Sequence, residues 1–307
     1  MIKLREVVKS YGARRIVDDV SLTVDRGAVC ALIGSSGSGK STTLRLINRL
    51  IEPTAGAIEV AGEDTGRVPA ETLRRRIGYV IQSVGLFPHW TVADNIATVP
   101  RLLKWPQART FDRVRELLDL VRLDAAFAGK YPHELSGGQQ QRVGVARALA
   151  ADPDILLMDE PFGALDPITR TALRDEFQRI HERTKKTILF VTHDMDEALA
   201  LADQVAIMEQ GKILQAGSPR DVLDRPASDF VRALIGMSEL GLKRLAVERV
   251  AAHMRRGESA AGEPVASSAT LKEALSRMIE TRTDRLPVRG GDGTSGVIRL
   301  ADIVERK

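Results

Sequence analysis

Between residues 28 and 193 of the 307-residue chain, uninterrupted apolar runs take turns with stretches whose apolar side chains recur every three or four positions. The runs "AVCALIG", "IGYVIQ", "DILLMDEP" and "KTILFVTHD" lack the in–out alternation of a half-solvated strand and predict strands buried on both faces, each ending in polar residues. The intervening "STTLRLINRL", "FDRVRELLDLVRL", "QQQRVGVARALAA" and "TRTALRDEFQRIHERT" carry helical spacing and good helix formers. Strands alternating with helices imply a parallel α/β sheet, whose working residues lie at the strands' carboxyl ends.

Other stretches follow a different pattern. "IKLREVVKSYG", "SLTVDRG" and "GAIEVAG" alternate apolar with polar residues between turn signals, which predicts antiparallel strands beside the parallel sheet. Residues from about 88 to 150 read as a mostly helical inserted subdomain. The spacing predicts a first domain over 1–236, a connector over 237–246 at "MSELGLKRL", and a separate small α+β unit over 247–307.

Composition narrows this picture in three places. No run approaches the roughly 18 apolar residues of a membrane span, and the charged start "MIKLREVVKSYG" lacks an apolar leader core, so the chain reads as cytosolic. The single cysteine, Cys30, lies inside "AVCALIG", which excludes a disulfide within the chain and points to a packing role. The net charge of +4 is concentrated late: residues 237–307 hold 13 Lys and Arg against 10 Asp and Glu. The remainder is close to neutral and has no basic stripe of the kind nucleic acid requires.

"GSSGSGKST", Gly34 to Thr42, follows an apolar strand and opens a helix, the context in which G-x-x-x-x-G-K-[ST] binds phosphate. Backbone N–H groups of Gly34, Ser35, Ser36, Gly37, Ser38 and Gly39 would curl around the anion. Lys40 would neutralise the outer phosphates, and the Ser41 hydroxyl would reach Mg²⁺, with Thr42 beside it. At the end of "ILLMDEP" two carboxylates close a buried strand, a costly placement unless they are used. Asp159 suits Mg²⁺ coordination, and Glu160 is placed to polarise a water attacking a γ-phosphate.

"LSGGQQQR", Leu135 to Arg142, is a second glycine-rich loop and resembles the signature motif of the ATP-binding-cassette (ABC) ATPases. The family's other residues stand in order over residues 1 to about 236: Tyr11, Gln82 in "YVIQS", Asp166 in "GALD" and His193 in "VTHD". The resemblance implies a head-to-tail pair of subunits in which Ser136, Gly137, Gly138 and Gln139 of one meet the ATP held by the other. It implies that Tyr11 stacks on adenine, that Gln82 touches Mg²⁺ and the attacking water, that His193 contacts the γ-phosphate in support of Glu160, and that Asp166 lies at the dimer interface. A helix cap before "PITRTALRDEF" is the competing role for Asp166.

A cassette without a membrane span resembles the ATPase subunits of importers, which act on a separate integral membrane permease and, through it, an extracytoplasmic substrate-binding protein. That would place the chain at the cytoplasmic face of the inner membrane. The wording of "GLFPHWTVADNIATVPRLLKW" is similar to that of subunits serving quaternary amines and osmoprotectants such as glycine betaine, choline, carnitine or proline. Phe87, Trp90 and Trp105 concentrate scarce aromatics in this segment, partly as core and partly as a docking patch for the permease.

The tail "TLKEALSRMIETRTDRLPVRGGDGTSGVIRLADIVE" opens with a capping-box spacing, Thr270 to Glu273, then an amphipathic helix, a strand at "RLPV", a Gly/Asp turn and a strand at "GVIRL". It resembles one cystathionine-β-synthase (CBS) motif of the kind such importers append after the cassette. Complete modules pair two motifs, so pairing with the tail of a second subunit is expected. The family's Ser or Thr three positions before Asp302 is Arg299 here, which speaks against adenine-nucleotide binding and leaves dimerisation or sensing of another ligand or of ions as the tail's roles.

Overall fold

The computed structural model describes residues 1–163, 165–290 and 295–304. They divide into two compact units, Met1–Ala216 and Gly217–Lys307. In chain order the first unit contains strands β1 (Ile2–Tyr11), β2 (Arg14–Val24), β3 (Val29–Gly34), β4 (Ala55–Val60), β5 (Glu63–Asp64), β6 (Ile77–Val80), β7 (Ile155–Asp159), β8 (Thr187–Thr192), β9 (Gln204–Glu209) and β10 (Lys212–Gly217).

Six of these form one sheet in the order β10-β9-β3-β8-β7-β6. From β9 to β6 the strands are parallel. Every residue of β3 and of β8 is buried, which is why both read as continuous apolar runs. The second sheet, β2-β1-β4-β5, is antiparallel. Its alternating strands point Ile2, Leu4, Val20, Leu22 and Ile58 into the same core as Leu32 and Leu157 of the parallel sheet and Leu44 of the helix that follows β3. Cys30 is wholly buried in that core, and burial pushes its thiol pKa up to about 12, in keeping with packing rather than reactivity.

The register of the parallel sheet decides where the chemistry can lie. Ile33 pairs with Thr192, and Asp159 with Val191, so the loops after β3, β7 and β8 leave three neighbouring strands at one level. Between β6 and β7 the chain is helical, as expected, with its longest helices at Gln107–Leu120 and Gly137–Leu149. The first buries Val114, Leu117 and Leu118 on one face.

The second unit begins with helices Pro219–Asp224, Asp229–Ile235 and Leu240–Val247. It continues through β11 (Arg255–Arg256), β12 (Val265–Ala266), helix Leu271–Thr281, β13 (Arg285–Arg289), β14 (Ser295–Arg299) and helix Leu300–Val304. Its sheet runs β11-β14-β13-β12, and its core gathers Val250, Leu271, Met278, Leu286, Ile298 and Ile303. The capping box at Thr270 and Glu273 forms reciprocally. Two helices that the sequence pattern assigns to the first domain, Pro219–Asp224 and Asp229–Ile235, lie in this second compact unit, and most of the expected connector is helix. The Gly/Asp turn expected before β14 falls at 290–294, of which 291–294 lie outside the described residues.

Candidate active site

Helix Lys40–Ile47 starts at Gly39, whose φ of 107° is open to glycine and strained for any other residue. A Cβ there would lie 2.5 Å from the Ile16 carbonyl oxygen, and one at Gly34 would lie 1.9 Å from that of Met208. Backbone from β2 and β9 therefore braces the loop from behind, and Ser35, Ser36 and Gly37 form its exposed crown while Ser38 is buried. Lys40, 6% exposed, folds back across the loop and donates from Nζ to the carbonyls of Gly34 (2.9 Å) and Ser35 (2.8 Å). Burial lowers its pKa, while the charges of Glu160 and Asp159 hold it up. Because its hydrogen bonds go to neutral acceptors, its charge remains available to an anion on the helix N-terminus.

Beside the loop is a cleft of about 290 Å³ whose walls include Arg14, Arg15 and Gly211. Tyr11, at the end of β1, is 56% exposed, with Lys9 Nζ 5.0 Å from its ring centroid. Such a ring is free to stack on a planar ligand.

The Ser41 hydroxyl donates to Asp159 Oδ1 at 2.8 Å, joining the phosphate-loop helix to the end of β7. Burial raises the Asp159 pKa, opposed by the Ser41 bond. Glu160 adopts φ of +47° and donates its N–H to the Val191 carbonyl at 3.0 Å. The sharp turn separates two consecutive carboxylates, Asp159 toward Ser41 and Glu160 toward Gln82 and His193. Gln82 Nε2 donates to Glu160 Oε2 at 3.0 Å, and His193 Nδ1 lies 3.7 Å from the same oxygen. Gln82, expected at the metal, thus spends its amide on Glu160 here. The oxygens of Ser41 and Asp159 fit magnesium, which takes hard oxygen ligands and completes its shell with water and phosphate.

The second glycine-rich loop stands apart from this cluster. Ser136 caps helix Gly137–Leu149, its Oγ accepting from Gln139 N–H while Gln139 Oε1 accepts from Ser136 N–H. The Ser136 and Gly137 end is exposed; Gly138 is buried, where a Cβ would come within 2.5 Å of Thr169 Cγ2. Asp166 caps helix Pro167–Thr184 by accepting from the N–H groups of Ile168 and Thr169. The bonds from Thr169, chiefly, hold its carboxyl below the usual range.

Two residues with no motif of their own shape the loop after Gln82. Buried Asn95 accepts from Phe87 N–H and donates to the carbonyls of Phe87, Trp90 and Thr91. Arg147 donates to the carbonyls of Gly85 and Val84, both at 2.7 Å. Asn95 lies four residues after Thr91, a helix-start position visible only as a polar residue amid apolar spacing. Phe87 is exposed, while Trp90 and Trp105 are half-buried. A groove of about 350 Å³ follows, walled by Arg74, Arg75, Tyr79, Phe87, Val99 and Arg147.

In the second unit Arg255 grips Asp302 through Nε and Nη2 (3.0 and 2.7 Å), and Arg299 N–H donates to the same carboxylate. Arg299 Nη2 pairs with Glu258 at 2.6 Å. Asp302 and Arg299, the two positions that the CBS resemblance singles out, are therefore both already engaged.

A braced phosphate loop with two consecutive carboxylates at the end of β7 defines a P-loop nucleotide-hydrolysing protein, and the second, exposed loop at a helix start narrows the class to the cassettes. Comparison with known proteins agrees with that class. The ABC transporter family model matches residues 17–163 and the CBS domain model residues 263–307. The glycine betaine uptake system ATP-binding protein YehX of Escherichia coli K12 is 52% identical over 305 residues, 99% of each chain. The glycine betaine/carnitine/choline transport ATP-binding protein OpuCA of Bacillus subtilis 168 is 50% identical over 94% of this chain and 75% of its own. Among solved structures, the dimeric post-hydrolysis state of the cassette MJ0796 bound to ADP and Pi superposes with a TM-score of 0.65, at 33% identity over 72% of this chain and 99% of that one. The chain belongs to the ABC transporter ATP-binding proteins.

Proposed function

We propose that this chain is the ATP-hydrolysing, energy-coupling subunit of an importer for quaternary amines or related osmoprotectants, and that two copies close head to tail on two ATP. The observation that carries the reading is the 52% identity to a glycine betaine uptake ATPase along 99% of both chains, tail included. The site geometry supports the reaction. Lys40 and the loop N–H groups bind the β- and γ-phosphates, and Tyr11 stacks on the base. Glu160, oriented by Gln82 and approached by His193, accepts a proton from the water whose oxygen attacks the γ-phosphorus as the bond to the bridging oxygen breaks, giving ADP and phosphate. Ser41 and Asp159, joined by Gln82 when the loop moves, would hold Mg²⁺, which supplies charge neutralisation at the phosphates.

The Ser136–Gln139 helix start, exposed at Ser136 and Gly137, suits the γ-phosphate of a partner's nucleotide, and the Asp166 loop suits the same interface. No helix among the described residues is long and apolar enough to cross a membrane, so attachment to the cytoplasmic face of the inner membrane would come through a separate permease. The groove beside Phe87 is the docking place for that permease, because Arg147 ties its wall to the loop that follows Gln82. An extracytoplasmic binding protein would deliver solute to the permease. The tail serves regulation or dimerisation, with Asp302 held by Arg255 rather than offered to a nucleotide.

The test is uptake of labelled glycine betaine, choline, carnitine and proline by cells with and without this chain, with ATP hydrolysis followed on the purified protein. Loss of uptake of at least one of them supports the reading. Unchanged uptake of all four, with hydrolysis intact, would leave a cassette for another solute.

A further inference from the structure

Arg142 closes the "LSGGQQQR" stretch, and its side chain does not face the nucleotide site. Its Nη1 donates to the carbonyls of Val121 (3.0 Å) and Arg122 (3.4 Å), just past helix Gln107–Leu120, and lies 4.0 Å from Glu176 Oε2. Glu176 is only 2% exposed, on helix Pro167–Thr184. The same carboxylate oxygen accepts from Arg179 Nη2 at 3.1 Å and lies 3.5 Å from Arg122 Nε. One buried acid thus gathers guanidinium groups from three separate segments. Beneath it is a small apolar cavity, about 10 Å³, walled by Val145 of the signature helix, Pro161 and Phe162 directly after Glu160, and Phe177 and Ile180 of its own helix.

A buried carboxylate is tolerated when opposite charges and hydrogen bonds replace water, and removing one partner leaves the others uncompensated. Arg142 is five residues into the helix whose start carries the signature loop, so the orientation of that helix follows the position of its guanidinium. The phosphate loop, by contrast, is braced by Ile16 and Met208 and has no contact with this cluster through the bonds just described.

We propose that Glu176 is a positioning residue for the signature loop: by drawing Arg142 and Arg122 together it sets where helix Gly137–Leu149, and so Ser136 to Gln139, meets the partner cassette. This rests on the head-to-tail reading given above, and it makes nucleotide capture and cassette closure separable by mutation. Capture depends on the loop at Lys40; closure depends on Glu176.

The experiment uses the full chain in a Glu160→Gln background, comparing Glu176→Gln with its parent. Three quantities are read: affinity for a fluorescent ATP analogue at low protein concentration, ATP-driven dimerisation by sedimentation, and thermal unfolding. Glu176→Gln is expected to keep nucleotide affinity within about twofold and to need at least roughly tenfold more ATP or protein to dimerise. Arg142→Lys, which keeps the charge and loses the planar fork, is expected to show the same split and serves if Glu176→Gln does not fold. Dimerisation at the parental midpoint overturns the proposal, as does a parallel fall of affinity, dimerisation and melting temperature, which marks a merely structural group. A parent that binds ATP and never dimerises refutes the head-to-tail reading itself.

Discussion

Glu160→Gln removes one charge and one proton acceptor while preserving shape, and the surroundings of Glu160 show how cleanly it should separate binding from hydrolysis. Gln82 Nε2 bonds Oε2 at 3.0 Å, and an amide oxygen can accept the same bond. Both side chains are unbranched at Cβ, so the left-handed backbone at φ +47° is equally strained by either. At the phosphate loop Glu160 is the leading charge sustaining Lys40, but Asp159 remains to sustain it, and removing an anion from beside the γ-phosphate lessens repulsion toward ATP. The substitution therefore acts on the proton transfer. A positioned base contributes about 10²–10⁴ in rate, or roughly 3–5 kcal/mol of barrier. Single-turnover phosphate release should fall by that range, and nucleotide affinity should be retained or rise. Hydrolysis within tenfold of the unmodified chain would refute the assignment of Glu160 as base.

Three further outcomes are expected. Gly39→Ala places a Cβ 2.5 Å from the Ile16 carbonyl at φ 107°, and should abolish nucleotide binding in a filter or fluorescence assay while the second unit stays folded. Arg147→Met strips two charged hydrogen bonds from the Val84 and Gly85 carbonyls, which at about 1.5 kcal/mol each predicts a loss near 3 kcal/mol by urea unfolding, with faster protease cleavage in the loop after Gln82. Asp159→Asn concerns pH. Burial raises the folded pKa of Asp159 above its ordinary 3.8, so the folded chain holds its proton more tightly than the unfolded chain, and the ionised group costs stability as pH rises through the raised value. The Asn variant should melt higher than the parent without nucleotide at pH 8, and the gain should shrink as pH is lowered toward 4. A gain that grows on acidification would contradict the sign.

What the amino-acid pattern makes legible here follows from periodicity. β3, β7 and β8 are buried along their whole length, so they read as apolar runs, and phosphate chemistry at their ends shows as Gly, Lys, Ser, Asp, Glu and His breaking those runs. Caps are equally local, as at Asp166 and Thr270. Glu176 is hidden for the opposite reason: in "RDEFQRIHER" it is one charge among many, and only the packing of Arg122 and Arg142, 54 and 34 positions away in the chain, distinguishes it from a solvated face. The partners of Gln82, Asn95 and Arg147 likewise depend on how a loop folds back on helices. The helices Pro219–Asp224 and Asp229–Ile235 look like cassette by sequence, yet compactness groups them with the tail, a distinction that long-range packing makes and composition does not.

The left-handed backbone at Glu160 also bears on how the chain can change over evolutionary time. Holding a non-glycine residue there costs on the order of 1 kcal/mol, a debt that glycine would remove. Nearly every step that relaxes this turn discards the carboxylate, while the branched residues Val, Ile and Thr deepen the strain. Selection for stability and selection for turnover thus pull against each other within a single codon. A copy of the gene released from transport duty should drift at this position early, which makes residue 160 a sensitive marker for telling a working cassette from one that only binds.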